Sequence, residues 1–146
     1  MRPAEGLRAL RAIEAVYSDL RKDHIRSDHG EAMVLRTRTT AYVVFKGTGG
    51  RGFWGNVLDD LSAWPARPPG SAPGRVHAGF LRHYRELMCA GLALEYSKLA
   101  TEQRRVLVTG FSLGGALAVL AGEELRNRWG LDPKVITFAA PPVGTK

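Results

Sequence analysis

The stretch RVLVTGFSLGG, residues 105–115, decides the fold that the sequence predicts. Its first five residues, Arg105 to Thr109, are mostly apolar and β-branched, which indicates a buried β-strand. Gly110-Phe111-Ser112-Leu113-Gly114 follows at once and matches the pattern G-x-S-x-G. Small and apolar residues then continue, so a helix is predicted over 113–126. A strand, a glycine-flanked turn and a helix in this order place Ser112 at the tip of a sharp turn.

The segments around this stretch predict helices and strands in alternation. Apolar spacing indicates a helix from Phe80 to Leu99, and the short apolar run from Val135 to Phe138 indicates a last strand. Helices that alternate with strands are typical of a parallel sheet covered by helices. From residue 75 onward the sequence therefore predicts an α/β fold with a mostly parallel sheet.

The N-terminal part predicts one packing helix and one hairpin. Apolar residues at three- and four-residue spacing indicate an amphipathic helix over residues 4–22. Residues 32–35 and 41–46 are predicted strands, joined by the polar, β-branched residues Thr37 to Thr40. Tyr42 to Phe45 are consecutive apolar residues, so we expect the second strand to be covered on both faces.

Two loops are predicted in the middle of the chain. Residues 64–74 are proline-rich and cannot form a helix or a central strand. Gly47 to Gly52 matches G-x-G-x-x-G, which by itself suggests dinucleotide binding. However, no acidic residue stands about 20 positions beyond it, and the proline-rich loop replaces the expected helix. A Walker loop is excluded because Phe53, not lysine, follows Gly52, and we expect neither a cofactor nor a metal.

Length and composition bound the class of protein. The 146 residues fit one domain, 1–146, with a single core. The net charge is +7, but the arginines are scattered singly or in pairs, so we expect no nucleic-acid binding. One cysteine excludes an internal disulfide. We see no signal peptide and no apolar run of the roughly 20 residues that a membrane helix needs, so a cytoplasmic location is the default expectation.

Ser112 is the candidate nucleophile. Glycine on both sides lets the strand and the helix approach closely, and the hydroxyl then projects above the edge of the sheet. The backbone N–H of Leu113, at the start of the helix, can donate to an oxyanion with help from the helix dipole. The alternative is a tight glycine turn whose serine has no chemical role.

Five blocks, in order along the chain, resemble the class 3 or fungal-type lipase family. The elbow VTGFSLGGALAVL (108–120) is similar to the family's VTGHSLGGALA, and VVFKGT (43–48) is similar to the strand and loop ending in FRGT. The other three blocks are NVLDDL (56–61), which resembles the lid segment, VHAGFL (76–81), which resembles VHxGF, and TFAAPPVG (137–144), which resembles TFGSPRVG. Five ordered blocks are far more specific than any one of them.

The resemblance implies a partial α/β-hydrolase fold whose C-terminal strands are missing, and a serine-dependent hydrolase of carboxylic esters of lipids. It implies that Ser112 attacks the ester carbonyl to form an acyl-enzyme, while Thr48 and Leu113 hold the oxyanion. It further implies a mobile lid that contacts substrate and opens against a lipid interface, with an apolar inner face made of Phe53, Trp54, Val57 and Leu58. The alternative for Phe53 and Trp54 is ordinary packing over the sheet.

Three departures from the family pattern matter. Lys46 replaces the arginine before Gly47, and Phe111 replaces the histidine beside the nucleophile. The third departure concerns the residues after Ser112. No histidine follows it. The family has its aspartate after a strand that follows the one ending at Phe138, and none of the later acids stands there. The four histidines of the chain, His24, His29, His77 and His83, all precede the nucleophile.

These departures lead us to expect that the isolated chain is nearly inactive. Either it is a truncated fragment of a longer lipase, or it is a pseudoenzyme that acts as a lipid-binding or interaction module. An uncovered sheet edge is expected to promote self-association. The sequence does not decide among triacylglycerol, phospholipid, galactolipid and aryl esters as substrate.

Overall fold

The computed structural model of the chain describes residues 2–18, 24–47, 65–66, 75–140 and 143–145. Helices and strands alternate through most of this part. In chain order the elements are α1 (Pro3–Ser18), β1 (Ile25–Arg26), β2 (Gly30–Arg36), β3 (Thr40–Gly47), β4 (Pro65–Ala66), β5 (Arg75–His77), α2 (Ala78–Leu87), a π-helical turn (Met88–Leu92), α3 (Ala93–Thr101), β6 (Arg105–Phe111), α4 (Leu113–Asn127), β7 (Lys134–Phe138) and β8 (Gly144–Thr145).

The central sheet has the strand order β1-β2-β3-β6-β7 among the described strands. β2 is antiparallel to both β1 and β3, whereas β3, β6 and β7 pair in parallel. Four of these five strands therefore run in the same direction. The expectation of an α/β fold with a mostly parallel sheet is confirmed, and the hairpin that precedes it supplies the one reversed strand.

Helices cover both faces of this sheet. Val43 and Phe45 of β3 pack into the larger core with α2, α3 and α4, and Val44 packs on the other face against Ala12 and Ile13 of α1. Side chains alternate along a strand, so a strand buried on both faces needs apolar residues at every position. The run from Tyr42 to Phe45 is explained in this way, and each buried large side chain contributes about 1.5–3 kcal/mol.

The helix predicted from Phe80 to Leu99 is interrupted in the structure. α2 ends at Leu87, a π-helical turn follows, and α3 begins at Ala93. Within the turn Gly91 has φ 133°, a conformation that side-chain-bearing residues rarely adopt. The prediction of one continuous helix was wrong because apolar spacing continues through Gly91 while the backbone does not.

The N-terminal elements agree with the predicted types and differ at their ends. α1 ends at Ser18, and the predicted continuation to residue 22 lies outside the described residues. β2 and β3 form the predicted hairpin, and the turn is closed by the Thr37 N–H, which donates to the Thr40 carbonyl at 2.8 Å. Both strands extend to Gly30 and Gly47, beyond the predicted bounds, because their pairing register continues that far.

A buried polar network joins the three helices on the larger face of the sheet. The Tyr84 hydroxyl of α2 lies 2.9 Å from the Tyr96 hydroxyl of α3 and donates to the carboxylate of Glu124 in α4. Arg128 reaches the other Glu124 oxygen at 3.2 Å from the surface. Burial raises the pKa of both phenols, so the tyrosines stay neutral and act as hydrogen-bond donors.

Three short strands form a second sheet in the order β4-β5-β8. Its edge strand β4 belongs to the proline-rich stretch, and proline is tolerated at a sheet edge because it lacks an N–H for a second neighbour. No helix in the described part of the chain is long and apolar enough to cross a membrane.

Candidate active site

Ser112 occupies the turn between β6 and α4. Its φ of 56° and ψ of −118° lie outside the regions favoured by L-residues. Such a backbone costs on the order of 1–3 kcal/mol and is held only where the surroundings determine it. The Ser112 N–H donates to the Phe138 carbonyl at 2.9 Å, which ties the turn to the end of β7.

Two glycines make this turn possible through close backbone approach. A Cβ at Gly110 would lie 2.2 Å from the carbonyl oxygen of Gly114, and a Cβ at Gly114 would lie 2.1 Å from the carbonyl oxygen of Phe45. Both contacts are with backbone atoms, which cannot rotate away as a flexible side chain does. The glycines of the motif are therefore a steric requirement of the fold.

The Ser112 hydroxyl is not used to cap α4, although serine is a favoured capping residue. In the described part of the chain this half-buried side chain has no hydrogen-bond partner. Leu113 is buried and begins the helix, where the first backbone N–H groups have no partner within the helix. A hydroxyl and a helix N-terminus thus meet at one point, an arrangement that suits attack on a carbonyl followed by stabilisation of an oxyanion.

The end of β3 lies directly beside this turn. Phe45 pairs with Gly110, and the start of α4 packs on the Phe45 carbonyl. The chain leaving β3 through Lys46 and Gly47 leads to Thr48, the predicted second oxyanion residue. Thr48 itself lies outside the described residues, as do all four predicted lid residues, namely Phe53, Trp54, Val57 and Leu58.

The segment after β7 contributes a second strained residue, Ala139, that sequence reasoning missed. Its φ is 50°, in the left-handed region. The following residue, Ala140, packs so closely on α4 that a Cβ at Gly115 would lie 2.7 Å from the Ala140 Cβ. The signal was present in the sequence, because the similar family block TFGSPRVG has glycine at this position. We name Gly110, Ser112, Gly114 and Ala139 together the elbow corner.

A charged cluster lies at the other end of the same sheet edge. The buried Glu31 carboxylate contacts the His24 ring, the Arg26 Nε at 3.0 Å and the Lys46 Nζ at 3.6 Å. Burial opposes ionisation of Glu31, but the hydrogen bonds from His24 and Arg26 and the charge of Lys46 outweigh it, so its pKa is lowered. We name these four residues the charged corner.

Sequence reasoning also missed this cluster, although a signal for it existed. Glu31 and Lys46 are cross-strand partners in the β2–β3 hairpin. Counting outward from the turn at Thr37 to Thr40 pairs them, provided that the strands extend past their apolar centres. The predicted strands, 32–35 and 41–46, stopped one residue short of Glu31.

None of the histidine side chains in the described part of the chain reaches Ser112. Glu31 holds one ring nitrogen of His24, which is how a carboxylate orients a catalytic histidine, but β1 is three strands from β6, about 14 Å at ordinary strand spacing. His29 and His83 stack at 4.6 Å between ring centroids, beside the β1–β2 turn. The side chain of His77 lies outside the described residues.

The acids that follow Ser112 also lie away from it. Glu124 belongs to the buried tyrosine network, and Glu123 pairs with Arg126 near the end of α4. Asp132 precedes the amino end of β7, so it lies at the opposite edge of the sheet from the elbow corner. Among the described residues, the Ser112 hydroxyl and the N-terminus of α4 therefore meet at the candidate site, without a carboxylate and imidazole beside them.

The fold and the elbow geometry agree with a comparison against known families. The family model described as Lipase (class 3) matches residues 42–146. The chain belongs to the class 3 lipase family. The resemblance seen in the five sequence blocks is thereby confirmed for more than two thirds of the chain.

Individual lipases, among them solved fungal lipases, are similar over much of the chain. A lipase of Rhizopus niveus is 36% identical over 118 residues, which cover 76% of this chain and 29% of that protein. The crystal structure of a lipase from Rhizopus microsporus var. chinensis superposes with a TM-score of 0.73 and 26% identity, over 97% of this chain and 57% of that chain. A fungal lipase–inhibitor complex gives a TM-score of 0.63 at 29% identity, over 85% of this chain and 51% of that chain. The chain thus spans about half the length of these solved lipases.

Proposed function

We propose that this chain carries the nucleophile and oxyanion donors of a hydrolase that cleaves carboxylic esters of lipids. The observation that carries the proposal is the strained Ser112 turn, with its hydroxyl free of capping bonds at the N-terminus of α4. Membership of the class 3 lipase family supports the choice of an ester substrate. No cofactor or metal enters this chemistry.

In the proposed reaction the Ser112 Oγ bonds to the ester carbonyl carbon. The negative charge that develops on the carbonyl oxygen is stabilised by the Leu113 N–H and by the backbone and hydroxyl of Thr48, and loss of one such donor typically costs 10² to 10³ in rate. The carbon–oxygen ester bond then breaks, the alcohol leaves and the acyl group remains on Ser112. Water hydrolyses this acyl-enzyme and restores the serine.

A general base has to take the Ser112 proton and pass it to the leaving alcohol. No histidine follows Ser112 in this sequence, and no described histidine side chain lies near it. Loss of the base from a serine triad lowers kcat by about 10⁶. We therefore propose that these 146 residues alone hydrolyse esters very slowly and that efficient turnover requires an imidazole supplied from elsewhere.

We also propose that the segment containing Phe53, Trp54, Val57 and Leu58 acts as a lid that contacts a lipid interface. The spacing of these apolar residues supports an amphipathic segment next to the oxyanion loop. One of the similar solved lipases is described as a model for interfacial activation in lipases.

The deciding experiment is labelling of the folded chain with a fluorophosphonate probe, with Ser112→Ala as the control. We expect slow labelling that Ser112→Ala abolishes, because the elbow exposes the hydroxyl to an electrophile even where the base is weak. Circular dichroism and a cooperative thermal transition establish that both proteins are folded. A folded chain that takes up no probe would refute the role of Ser112 as a nucleophile.

The second candidate is a lipid-binding or interaction module without catalysis. It is favoured by β7, whose pairing in the described part of the sheet is with β6 alone. A strand with one free edge can pair with a second copy of the chain. Sedimentation velocity at several concentrations tests this self-association, and the module is favoured if the folded chain takes up no fluorophosphonate probe yet dimerises or binds lipid vesicles.

A further inference from the structure

A surface groove of about 720 Å³ lies between the β1–β2 turn and the outer face of α2. Its lining comes from two separate walls. One wall is the turn itself, and the other continues from α2 into the π-helical turn. The side chains that matter for its chemistry are Arg26, Ser27, Asp28, Arg82, Arg85 and Cys89.

Two of the arginines in this groove contact no acidic side chain in the part of the chain that the structure describes. Arg82 and Arg85 are exposed and three residues apart on α2, so they project on one side of the helix. Neither forms an ion pair or a hydrogen bond within the described residues. By contrast, Arg36 near the other edge of the sheet contacts Glu95 at 2.7 Å and Glu102 at 2.8 Å.

The opposite wall adds a third guanidinium group. The Arg26 Nε donates to Glu31 at 3.0 Å, which fixes the side chain, while 60% of that side chain remains exposed. Two acids also line the groove: Glu86 contacts the His29 ring at 2.9 Å and Asp28 is exposed, so the lining carries three guanidinium groups and two carboxylates. Arg82 and Arg85 are the available donors of the groove, and Arg26 adds the nitrogens that its bond to Glu31 leaves free. Guanidinium groups suit phosphate oxygens, because each can donate two parallel N–H bonds.

The groove opens at the same edge of the sheet as Ser112. The β1–β2 turn leads into Gly30, which pairs with Gly47 at the carboxyl end of β3. Phe45, two residues earlier in β3, pairs with Gly110 beside the nucleophile. A flat phosphate-bearing surface that contacts the groove would therefore also lie along the edge that presents Ser112.

We propose that this groove docks the phosphate groups of an anionic phospholipid surface. The net charge of +7 attracts the chain to such a surface over long range, and the three arginines give the attraction a location. Docking itself rests on the arginine geometry alone. Its use in delivering ester substrate to Ser112 rests on the proposed function.

Cys89 provides a direct reporter of groove occupancy. It is the single cysteine of the sequence, it is exposed and it lines the groove. We would attach a small environment-sensitive maleimide dye to it and titrate vesicles that contain about one third phosphatidylglycerol in phosphatidylcholine. The dye signal is expected to change with these vesicles and to remain constant with pure phosphatidylcholine vesicles.

The matched control uses arginines with the same spacing on the opposite face of the sheet. Arg8 and Arg11 are exposed, three residues apart, on α1. Arg82→Gln/Arg85→Gln is expected to weaken vesicle binding about 30-fold, the product of two arginine contacts at a charged surface. Arg8→Gln/Arg11→Gln removes the same charge and is expected to weaken binding less than about threefold.

Vesicle sedimentation of the unlabelled proteins checks that the dye itself does not create binding. Equal losses in the two double variants would overturn the proposal, since binding would then depend only on net charge. A dye response to millimolar inorganic phosphate without a response to vesicles would also overturn it, in favour of a soluble phosphate ligand. Repeating the titration with Ser112→Ala separates docking from catalysis, because docking is expected to be unchanged even if Ser112 proves not to be a nucleophile.

Discussion

The elbow corner and the charged corner lie along the same edge of the sheet, yet opposite physical effects hold them. In the elbow corner, backbone atoms approach so closely that Gly114 has no room for a Cβ, and Ser112 and Ala139 adopt strained conformations. In the charged corner, the buried carboxylate of Glu31 is held by the charges of Arg26 and Lys46 and by the hydrogen bond with the His24 ring. Steric fit depends on volume and is insensitive to pH, whereas charge balance depends on pH and tolerates small changes in volume.

The largest expected effect is in the elbow corner, where the constraint is steric. Gly114→Ala places a Cβ 2.1 Å from the Phe45 carbonyl oxygen, so α4 and β3 have to separate. We expect a loss of more than about 3 kcal/mol in the free energy of unfolding, measured by urea denaturation. Gly30→Ala is the matched control, since its nearest neighbour is the movable Leu87 side chain at 3.4 Å, and we expect less than about 1 kcal/mol. Equal losses would show that the elbow is not sterically special.

The second effect tests the charge balance. Glu31→Gln keeps the size of the side chain but removes the buried negative charge that Arg26 and Lys46 contact, so we expect a loss of about 2 kcal/mol near neutral pH. Because the folded-state pKa of Glu31 is lowered from 4.5, its stabilisation is present above that value and is lost as the pH falls through the folded-state pKa. The variant should therefore lose less stability than the parent between about pH 6 and pH 3. Parallel stability curves for the two proteins would contradict this assignment.

The third effect is a gain in stability at the elbow corner. Ala139→Gly removes the strain of an alanine in the left-handed conformation, which is worth about 1–2 kcal/mol. The same change costs about 0.5–1 kcal/mol, because glycine gives the unfolded chain greater freedom. A net stabilisation of about 0.5–1 kcal/mol is expected, visible as a rise of a few degrees in Tm. Ala140→Gly, at a neighbour whose φ is not positive, serves as the control and is expected to lower Tm.

The smallest effect concerns an ion-pair network nearer the surface. Glu102 contacts Arg36 at 2.8 Å and Arg104 at 2.7 Å, with 19% of its side chain exposed against 8% for Glu31. Glu102→Gln is expected to cost about 0.5 kcal/mol, and 1 M salt should remove most of the difference. A loss as large as that of Glu31→Gln would mean that burial does not distinguish the two carboxylates.

The sequence predicted the elbow well because its determinants are neighbours in the chain. Gly110, Ser112 and Gly114 specify a tight turn locally, and the strand and helix around it have clear apolar patterns. The break at Gly91 was not predictable from apolar spacing, because apolar residues continue on both sides of it. The charged corner depends on the register of β2 against β3 and on the entry of β1, so Arg26 and His24 could not be placed from local pattern.

The rest of the site prediction came from the family resemblance. Family membership is confirmed, whereas the roles of Thr48 and the lid residues stay predictions because those residues lie outside the described part. No local rule indicated the exposed arginines of α2 as a site, since Arg82 and Arg85 look like ordinary surface residues until the β1–β2 turn is placed opposite them.

The order of the strands also bears on how quickly the chain folds. The β2–β3 hairpin closes through a short turn, but the residues that pair between β3 and β6 are far apart in the chain, as Thr40 is from Arg105. Closing so large a loop is costly in entropy, and such distant pairing slows folding. Because the Ser112 turn depends on contacts from β3, α4 and β7 together, it is expected to assemble late on the folding pathway. The rate at which Ser112 becomes reactive during refolding therefore reports the rate of the last step of assembly.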